Sequence, residues 1–346
     1  MNQNKFVLER IEKSLKERLP DLITDDWKYQ LFGKLPESVK SGHIEKLFTP
    51  CKELISLGGK RWRPMLLVLA SGLKNPEGKP AELSYELTPI VELVHTASLI
   101  HDDIEDSADT RRGKPCAHIT YGTDTALNSA SWLYFSAFAS IENACKDNLQ
   151  LKNILTKNLA LELRRLHLGQ SMDIEWHKDN SSLPSGDEYL AMTRLKTGTL
   201  ASLAAKTGLL TAGASEEEVE KIGEYCADIG VAFQIHDDII NLTSGNKGKK
   251  RGDDIVEGKK SLPVLIHLSK NKEDFLPLME CFMQAKNEGI NSTAVEKAIS
   301  IISKEGAIEE AALIARDLKD NAIKKISENW KDSKAKDNII ELFDLM

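Results

Sequence analysis

The sequence predicts an all-α protein, a single large helical bundle around a deep central pocket. Apolar residues recur at helical spacing through long stretches, above all 87–104, 126–145, 151–176 and 216–242. Alternating runs of β-branched residues, which are typical of strands, are missing. The breaker segments between the stretches are too short to be domain linkers. We therefore expect residues 1–346 to form one helical domain.

Shorter helical stretches complete the predicted bundle. Near the N-terminus, one stripe collects Phe6, Ile11, Leu15 and Leu19, which predicts an amphipathic helix. Segments rich in Gly, Pro, Ser or Asn separate the stretches at 74–78, 181–186 and 243–252. The same helical spacing predicts further helices at 65–73, 199–212, 262–268, 293–303, 308–326 and 336–345.

The composition restricts the class of function and the compartment. A net charge of −7 gives no overall basic field, so nucleic acid is not an expected partner. The five cysteines are scattered and never in CxxC spacing, which argues against a disulfide framework or a zinc site. The charged N-terminus has no apolar signal region, and no window of eighteen uncharged apolar residues predicts a membrane span. We expect a cytoplasmic protein.

An acidic cluster ends one of the apolar stretches. Asp102 and Asp106 are four residues apart, so both carboxylates leave the same face of a helix. A divalent cation would overcome their repulsion, and magnesium is commonly held by one or two carboxylates plus substrate phosphates. Arg111 and Arg112 follow closely and suit a diphosphate, because guanidinium groups match phosphate oxygens in pairs. A solvated helix surface is the alternative, but the preceding turns are apolar.

A second acidic cluster repeats this arrangement. Asp237 and Asp238 end another apolar stretch and precede a loop rich in Lys and Gly. The fourth residue after Asp237 is Asn241, whose amide can orient a metal-bound water but adds no charge. We therefore expect Asp237 to be the metal ligand of this cluster. Either cluster alone is compatible with a solvated helix end, whereas two copies in one chain favour a site.

The order of several motifs gives the sequence a family resemblance. The motifs are GGKRWRP at 58–64, VELVHTASLIHDDIED at 91–106, RRG at 111–113, GQSMDIEW at 169–176, KT at 196–197, FQIHDD at 233–238 and GDDIVEGKKSLP at 252–263. Together they resemble the trans-isoprenyl diphosphate synthases of the polyprenyl synthetase family, most of all the eukaryotic-type geranylgeranyl diphosphate synthases. The resemblance implies the isoprenoid synthase type of helical bundle.

The same resemblance implies an activity. A transferase would condense isopentenyl diphosphate with an allylic diphosphate and make geranylgeranyl diphosphate, with twenty carbons. It would be a homodimer and would use Mg²⁺, three ions with substrate bound. The implied metal ligands are Asp102, Asp106, Asp173 and Asp237. The implied catalytic residues are Asp102, Asp103, Asp106, Lys196, Thr197, Gln234, Asp237 and Asp238.

The two diphosphates are assigned by the same resemblance. Isopentenyl diphosphate would be held by Lys60, Arg63, His95 and Arg112, with Arg61 as a neighbour. The allylic diphosphate would be held by Arg111, Lys196, Lys250 and Lys259, where Lys249 replaces Lys250 if the loop is shifted by one residue. Thr197 and Gln234 would lie beside the reacting carbons.

Product length depends on the side chains along the path of the tail. Ala97 and Ser98 lie about one turn before Asp102, and both are small, which argues against a stop at fifteen carbons. The predicted floor deeper in the pocket consists of Tyr134, Phe135 and His167, which would limit the product near twenty carbons.

Rival functions stay open at this point. One is a synthase of longer polyprenyl chains, and another is a catalytically silent subunit that regulates an active partner, although such a subunit would be expected to lose an acidic cluster or the basic groups. A terpene cyclase fits poorly, because the position eight after Asp237 is Gly245, where such enzymes carry an acidic metal ligand.

Overall fold

The computed structural model describes residues 2–178, 183–245 and 251–345. Within these ranges the chain is helical apart from turns and one hairpin of two-residue strands, β1 (Thr110–Arg111) and β2 (Lys114–Pro115). The all-α prediction is confirmed. The helices are α1 Asn2–Arg18, α2 Asp25–Phe32, α3 Ser41–Ser56, α4 Trp62–Ser71, α5 Glu82–Glu105, α6 Ala117–Tyr121, α7 Thr123–Ala144, α8 Leu149–Lys178, α9 Gly186–Thr193, α10 Thr199–Thr211, α11 Glu216–Thr243, α12 Asp253–Glu257, α13 Leu262–Lys270, α14 Phe275–Glu288, α15 Thr293–Ile302, α16 Ala307–Asn329 and α17 Lys334–Asp344.

One large hydrophobic core holds most of the bundle together. It collects buried side chains from α1, α3, α4, α5, α7, α8, α10 and α11, and also from α17. Fully buried members such as Leu66 and Leu133 each contribute about 1.5–3 kcal/mol by leaving water. Two smaller clusters flank this core, one built mainly by α12 to α15 and one by α9, α11, α13 and α16. That residues 1–346 form a single domain stays a prediction.

Two long helices of the core end at the two acidic clusters. α5 ends at Glu105 and α11 ends at Thr243. α11 begins with a capping box, in which the Ser215 hydroxyl accepts from the Glu218 amide and the Glu218 carboxylate accepts from the Ser215 amide. The C-terminal end of a helix carries partial negative charge, which favours cations. Carboxylates at both helix ends therefore add to a local field that attracts positive charge.

Some local predictions differ from the structure. Phe6 does not belong to the buried stripe of α1, because it is 55% exposed whereas Val7 is 2% exposed. The buried side chains are Val7, Ile11, Leu15 and Leu19, each four residues after the last. No helix was predicted at α3 or α14, which contain Pro50 and Pro277 respectively. Within the described ranges, no helix is both long and apolar enough to cross a membrane.

Candidate active site

A deep pocket lies between the ends of α5 and α11 and the start of α4. The cavity measures about 520 Å³, and its walls come from α4, α5, the β hairpin and α8 to α12. Acidic and basic side chains line its wider part. The apolar part of the wall consists of Trp62, Leu99, Leu166, Met192, Leu200 and Phe233.

Most of the predicted site residues line this one pocket. They are Lys60, Arg63, His95, Ser98, Asp102, Arg111, Arg112, Asp173, Lys196, Thr197, Gln234, Asp237, Asp238 and Lys259. Asp103 and Asp106 lie behind the wall, as described below. Lys250 and its alternative Lys249 lie outside the described residues.

The first acidic cluster is bridged by a lysine from a distant part of the chain. The Nζ atom of Lys196 lies 3.0 Å from Asp102 Oδ1 and 2.5 Å from Asp173 Oδ2. Burial opposes ionisation of Asp102, but Lys196, Lys259 and Arg111 outweigh it and hold its pKa well below the usual range. The two carboxylates in turn outweigh burial and raise the pKa of Lys196. All three side chains are therefore charged at neutral pH.

The other two carboxylates of the first cluster are paired below the pocket surface. Asp103 is 1% exposed, and its Oδ1 accepts from Arg111 Nε at 2.7 Å. This pair fixes the arginine on the hairpin. The Asp106 side chain lies 3.1 Å from Lys259 Nζ. Burial raises the pKa of Asp106, and the neighbouring carboxylates add to that effect while Lys259 opposes it.

The opposite side of the pocket is basic. Arg63 is 8% exposed, and burial lowers its pKa to about 10, so that it remains charged at neutral pH. Arg112, which follows β1, donates from Nη1 to the carbonyls of Leu54 and Gly58. Burial and the nearby arginines lower the pKa of His95 well below 6.5. The imidazole is therefore neutral and can donate or accept a hydrogen bond.

Lys196 and Thr197 lie on a π-helical turn, Arg194–Gly198, between α9 and α10. Such a turn inserts one extra residue and often marks a functional site. The backbone can approach its neighbours here because they are glycines. A Cβ atom on Gly169 of α8 would lie 2.5 Å from the Lys196 nitrogen, and one on Gly230 of α11 would lie 2.6 Å from the Gly198 Cα atom. The turn is thus clamped between α8 and α11.

A chain of hydrogen bonds runs from this turn to the second acidic cluster. Thr197 Oγ1 donates to Gln234 Oε1 at 3.1 Å, and Gln234 Nε2 donates to Asp238 Oδ1 at 3.0 Å. Tyr189 of α9 donates to Asp238 Oδ2 at 2.6 Å. Burial, together with nearby Asp254, raises the pKa of Asp238 to about 7. The arrangement fixes which end of the Gln234 amide faces Thr197.

Asn241, the fourth residue after Asp237, makes a structural contact with the neighbouring helix α12. It lines the pocket, and its Oδ1 accepts from the Asp254 amide at 3.3 Å. Its carbonyl also accepts from the Gly252 amide at 2.9 Å. Asn241 therefore fastens the start of α12 to the end of α11. Asp237 also lines the pocket, and its role as the metal ligand of this cluster stays a prediction.

The predicted floor is partly wrong. Phe135 is 73% exposed and so lies on the outside of α7, because it is one residue beyond the buried Tyr134. Tyr134 packs between the rings of His101 and His167, at centroid distances of 5.5 and 5.2 Å, and none of the three lines the pocket. Ala97 is fully buried on the far side of α5, whereas Ser98 faces the pocket. Leu99, Leu166 and Leu200 form the apolar lining instead.

Several site residues were not predicted. Gln170 donates to Asp102 at 3.2 Å and to Glu105 at 2.7 Å, and it lies in the quoted motif three residues before Asp173. Glu92 is 3% exposed and lines the basic side, three residues before His95. Tyr189 lies outside every motif. Gln170 and Glu92 each lie three residues before a predicted site residue, on the same face of its helix, so helical spacing could have identified them.

The donor set fits a divalent cation that is shared with a phosphate ligand. Among the residues that the structure describes, no group of three or more His, Cys, Asp or Glu side chains is arranged to hold a metal alone. Magnesium is usually bound by one or two carboxylates together with substrate phosphates. Asp102 and Asp173 on one side and Asp237 on the other offer such carboxylates on the pocket wall.

Comparison with known proteins identifies the class. The chain is 37% identical over 276 residues to a short chain isoprenyl diphosphate synthase from Methanocaldococcus jannaschii, covering 79% of this chain and 81% of that one. It is 32% identical over 301 residues to a geranylgeranyl diphosphate synthase from Sulfolobus acidocaldarius, covering 84% and 87%. A solved geranylgeranyl pyrophosphate synthase covers 99% of both chains with a TM-score of 0.83 and 25% identity.

A second solved structure has the same fold. It is a polyprenyl synthase from Caulobacter crescentus complexed with calcium and isoprenyl diphosphate, with a TM-score of 0.78, 24% identity and coverage of 99% and 94%. A family model described as polyprenyl synthetase matches residues 44–302. The chain therefore belongs to the polyprenyl synthetase family, as its motifs predicted.

Proposed function

We propose that the protein is a prenyltransferase that condenses isopentenyl diphosphate with an allylic diphosphate and makes geranylgeranyl diphosphate. The observation that carries the proposal is the pocket itself. Two carboxylate-bearing helix ends and two separate basic groups line one cavity whose remaining wall is apolar. Two diphosphates and one hydrocarbon tail need these three environments. The geranylgeranyl diphosphate synthase relative, at 32% identity, supports twenty carbons.

The two diphosphates are assigned to different sides of the pocket. Isopentenyl diphosphate would bind Lys60, Arg63 and Arg112, with neutral His95 as an additional hydrogen-bonding partner. The allylic diphosphate would bind Lys196, Lys259 and Arg111, which already lie against the first acidic cluster. Bringing the reacting carbons together in one cavity removes much of the entropic barrier to condensation.

Magnesium is the proposed cofactor, with Asp102, Asp106, Asp173 and Asp237 as candidate ligands. The calcium in the Caulobacter crescentus polyprenyl synthase supports a divalent cation in that protein. When bound, the metal would spread the negative charge that develops on a departing diphosphate. Asp106 would have to turn away from Lys259, which lies 3.1 Å from it. A set of three ions is the stoichiometry that we propose.

The protein's own groups would act on three parts of the reaction. Lys196, Lys259 and Arg111 would stabilise the diphosphate as its carbon–oxygen bond breaks, which is electrostatic catalysis. Thr197 and Gln234 would turn oxygens toward the allylic cation. Its terminal carbon bonds to the double bond of isopentenyl diphosphate, and the adduct then loses a proton to the released diphosphate. The buried, apolar wall excludes water from the cation.

We further propose a cytoplasmic homodimer. The five cysteines are free and buried, which suits a reducing compartment. The exposed apolar side chains Leu127 and Phe135 lie eight residues apart on α7, on the same side of the helix, and suit an interface with a second copy. Light scattering of the purified protein would give the mass of a dimer, whereas a monomer mass would refute this part of the proposal.

A product assay tests the activity. The purified protein would be incubated with magnesium, isopentenyl diphosphate and, separately, the five-, ten- and fifteen-carbon allylic diphosphates, and product length read by mass. We expect a twenty-carbon product that disappears with EDTA and returns with excess magnesium. Products of thirty carbons or more would support the proposed reaction but refute the proposed product length of twenty carbons. No turnover with any starter would refute the proposal in favour of a silent subunit.

Matched variants locate the reaction. Asp102→Asn removes the carboxylate that Lys196 and Arg111 contact, and we expect turnover to fall by at least about a hundredfold, the size typical of lost electrostatic catalysis. Glu82→Gln is the control, because Glu82 also pairs with an arginine, Arg10, but does not line the pocket. Equal losses in the two variants would contradict the assignment.

A further inference from the structure

Arg61 is a buried charged side chain that ties three helices to one loop. The residue is 4% exposed, and each of its guanidinium nitrogens has a protein partner. Nε donates to Glu12 at 2.8 Å, Nη1 to Glu92 at 2.5 Å and Nη2 to the Ile55 carbonyl at 2.7 Å. These acceptors lie on α1, α5 and α3 respectively. Arg61 lines the pocket, but its side chain is only 2% exposed and every guanidinium nitrogen already has a protein acceptor, so the guanidinium is held by the protein rather than offered to a ligand.

The backbone at Arg61 is strained. Its φ is 49°, in the left-handed region that non-glycine residues rarely adopt. The Arg61 carbonyl accepts from the Met65 amide at 3.0 Å and so begins α4. Gly58, with a φ of 82°, makes the turn before it. Residues held in such conformations persist only where the surroundings over-determine them, and the guanidinium contacts supply that hold.

The loop held in this way presents the basic side of the pocket. Lys60 directly precedes Arg61, and Arg112 packs on the same turn. A Cβ atom on Gly59 would lie 3.2 Å from Arg112 Nη2 and 3.5 Å from Arg61 Nη1, so the two guanidinium groups flank this glycine closely. Arg112 also donates to the Gly58 carbonyl. The position of Arg112 therefore depends on the same loop that Arg61 fastens.

Glu92 is the carboxylate within this basic group. It contacts Arg61 directly, and its charge favours the charged forms of Arg63 and Arg112. A buried ion pair contributes little net stability, whereas removal of one partner leaves an uncompensated charge. The presence of the buried Arg61–Glu92 pair is therefore better explained by its effect on the positions of the arginines than by a contribution to folding stability.

We propose that Arg61 is a positioning residue for the isopentenyl diphosphate site, with Glu12 of α1 completing its hold from outside the pocket. The proposal rests on the proposed function. Arg61 does not touch the diphosphate. It fixes the loop so that Lys60 and Arg112 converge on one anion. The N-terminal helix α1, which contributes no pocket-lining residue, thereby controls substrate affinity through one carboxylate.

Steady-state kinetics of two variants test the proposal. Arg61→Lys keeps the charge but loses the fork of donors, and Glu12→Ala removes the outer acceptor while favouring the helix. We expect the KM for isopentenyl diphosphate to rise about tenfold in Arg61→Lys and about threefold in Glu12→Ala, with the KM for the allylic substrate and kcat within about twofold. Glu12→Gln keeps an acceptor oxygen and is expected to restore most of the affinity.

The control is Glu82→Ala. It removes the exposed Arg10–Glu82 pair at 2.6 Å, which also joins α1 to α5 but does not reach the loop. We expect neither KM to change. Equal increases in both KM values, or an effect of Glu82→Ala as large as that of Glu12→Ala, would overturn the proposal, because general loosening of α1 would then explain the result.

Hydrogen exchange separates this proposal from the proposed function. Amides of residues 57–60 should exchange faster in Arg61→Lys and Glu12→Ala than in the parent protein. Faster exchange with an unchanged KM for isopentenyl diphosphate would overturn the positioning role. If the parent protein transfers no prenyl group, the proposed function is refuted. The positioning role of Arg61 is then tested separately, by measuring whether inorganic pyrophosphate slows hydrogen exchange at residues 57–60. If Arg61→Lys abolishes this protection, the result supports the proposal that Arg61 positions the loop for an anion. If the variant keeps the protection, the proposal is refuted.

Discussion

Lys196 reaches two carboxylates at once, Asp102 and Asp173, from a part of the chain that neither motif adjoins. The sequence motifs assigned these residues to one predicted site, and in the structure all three line one pocket. Which charges pair with which could not be predicted, since pairing depends on side-chain directions across helices distant in sequence. The same limit applies to Arg61, which lines the pocket as a neighbour of Lys60, because the sequence did not predict that protein acceptors hold its guanidinium.

His95 gives a pH dependence whose sign follows from its surroundings. Burial and the nearby arginines keep its pKa in the folded protein well below 6.5, so the folded state stays neutral while the unfolded chain takes up a proton. Stability should therefore fall as the pH drops below about 6.5, by at most about 1.4 kcal/mol per pH unit from this residue. Urea unfolding at pH 7.5, 6.0 and 5.0 would measure it.

The test is the difference between the parent protein and His95→Gln. The parent should lose more stability than the variant between pH 7.5 and 5.0. His43→Gln is the control, because His43 is exposed on α3 and does not line the pocket. Parallel pH profiles of stability for the parent and His95→Gln would contradict the prediction, because they would mean that His95 has the same pKa in the folded and the unfolded protein.

Tyr189 should affect turnover more than binding. Its hydroxyl donates to Asp238, which accepts from the Gln234 amide. In Tyr189→Phe, one hydrogen bond of about 1 kcal/mol is lost, and we expect kcat to fall about three- to tenfold with KM values within twofold. Tyr85→Phe is the control, since Tyr85 is also buried but lies away from the pocket. A rise in KM at constant kcat would instead assign Tyr189 to substrate binding.

Among the elements, the long amphipathic helices were predictable and the interruptions were not. α5, α7, α8 and α11 carry apolar residues at helical spacing over many turns, so their existence followed from the pattern. The π-helical turn Arg194–Gly198 has no such signature. It depends on close approaches by Gly169 and Gly230, which are tertiary contacts. The turn that positions Lys196 and Thr197 could therefore not be predicted without the tertiary structure.

We expect the helices that line the apolar part of the pocket to set product length. Leu166 of α8 is 4% exposed and lines the cavity, whereas the expected floor residue Phe135 is 73% exposed. We expect Leu166→Ala to shift products beyond twenty carbons, because the shorter side chain lengthens the cavity. Phe135→Ala should leave the product unchanged. Both would be read by mass from the same starter.

The opposite result would restore the predicted floor in part. Tyr134→Ala opens space behind the lining, where its ring packs between His101 and His167. If Tyr134→Ala lengthens the product and Leu166→Ala does not, the tail passes the leucines and stops at the tyrosine. In that case the stop lies between α5, α7 and α8 rather than at the pocket wall.

At the scale of the whole molecule, the site exists because α5 and α11 end at the same cavity. Their acidic clusters are more than a hundred residues apart in sequence, and the resemblance to a known family implied that they meet. Helical periodicity predicts each helix but not which helix ends converge. The large core that joins α4, α5, α10 and α11 supplies that convergence.

Metal and diphosphate should therefore stabilise the folded protein together rather than separately. Lys196 and Lys259 already neutralise Asp102, Asp106 and Asp173, so magnesium alone must compete with two ammonium groups. Inorganic pyrophosphate alone would be repelled by the negative charge of the carboxylates. When both bind, each ammonium can turn to the diphosphate while the carboxylates turn to the metal, and the coupling is reciprocal. Ligands that bind only the folded state raise the melting temperature.

Thermal unfolding would measure this coupling with four samples: protein alone, with magnesium, with pyrophosphate, and with both. We expect the shift with both ligands to exceed the sum of the separate shifts, and Asp102→Asn to abolish the excess. Glu82→Gln, which alters the Arg10–Glu82 ion pair outside the pocket, should retain the excess. Additive shifts in the parent protein would mean that metal and diphosphate occupy independent sites, and the carboxylate pairs would then serve the fold rather than the reaction.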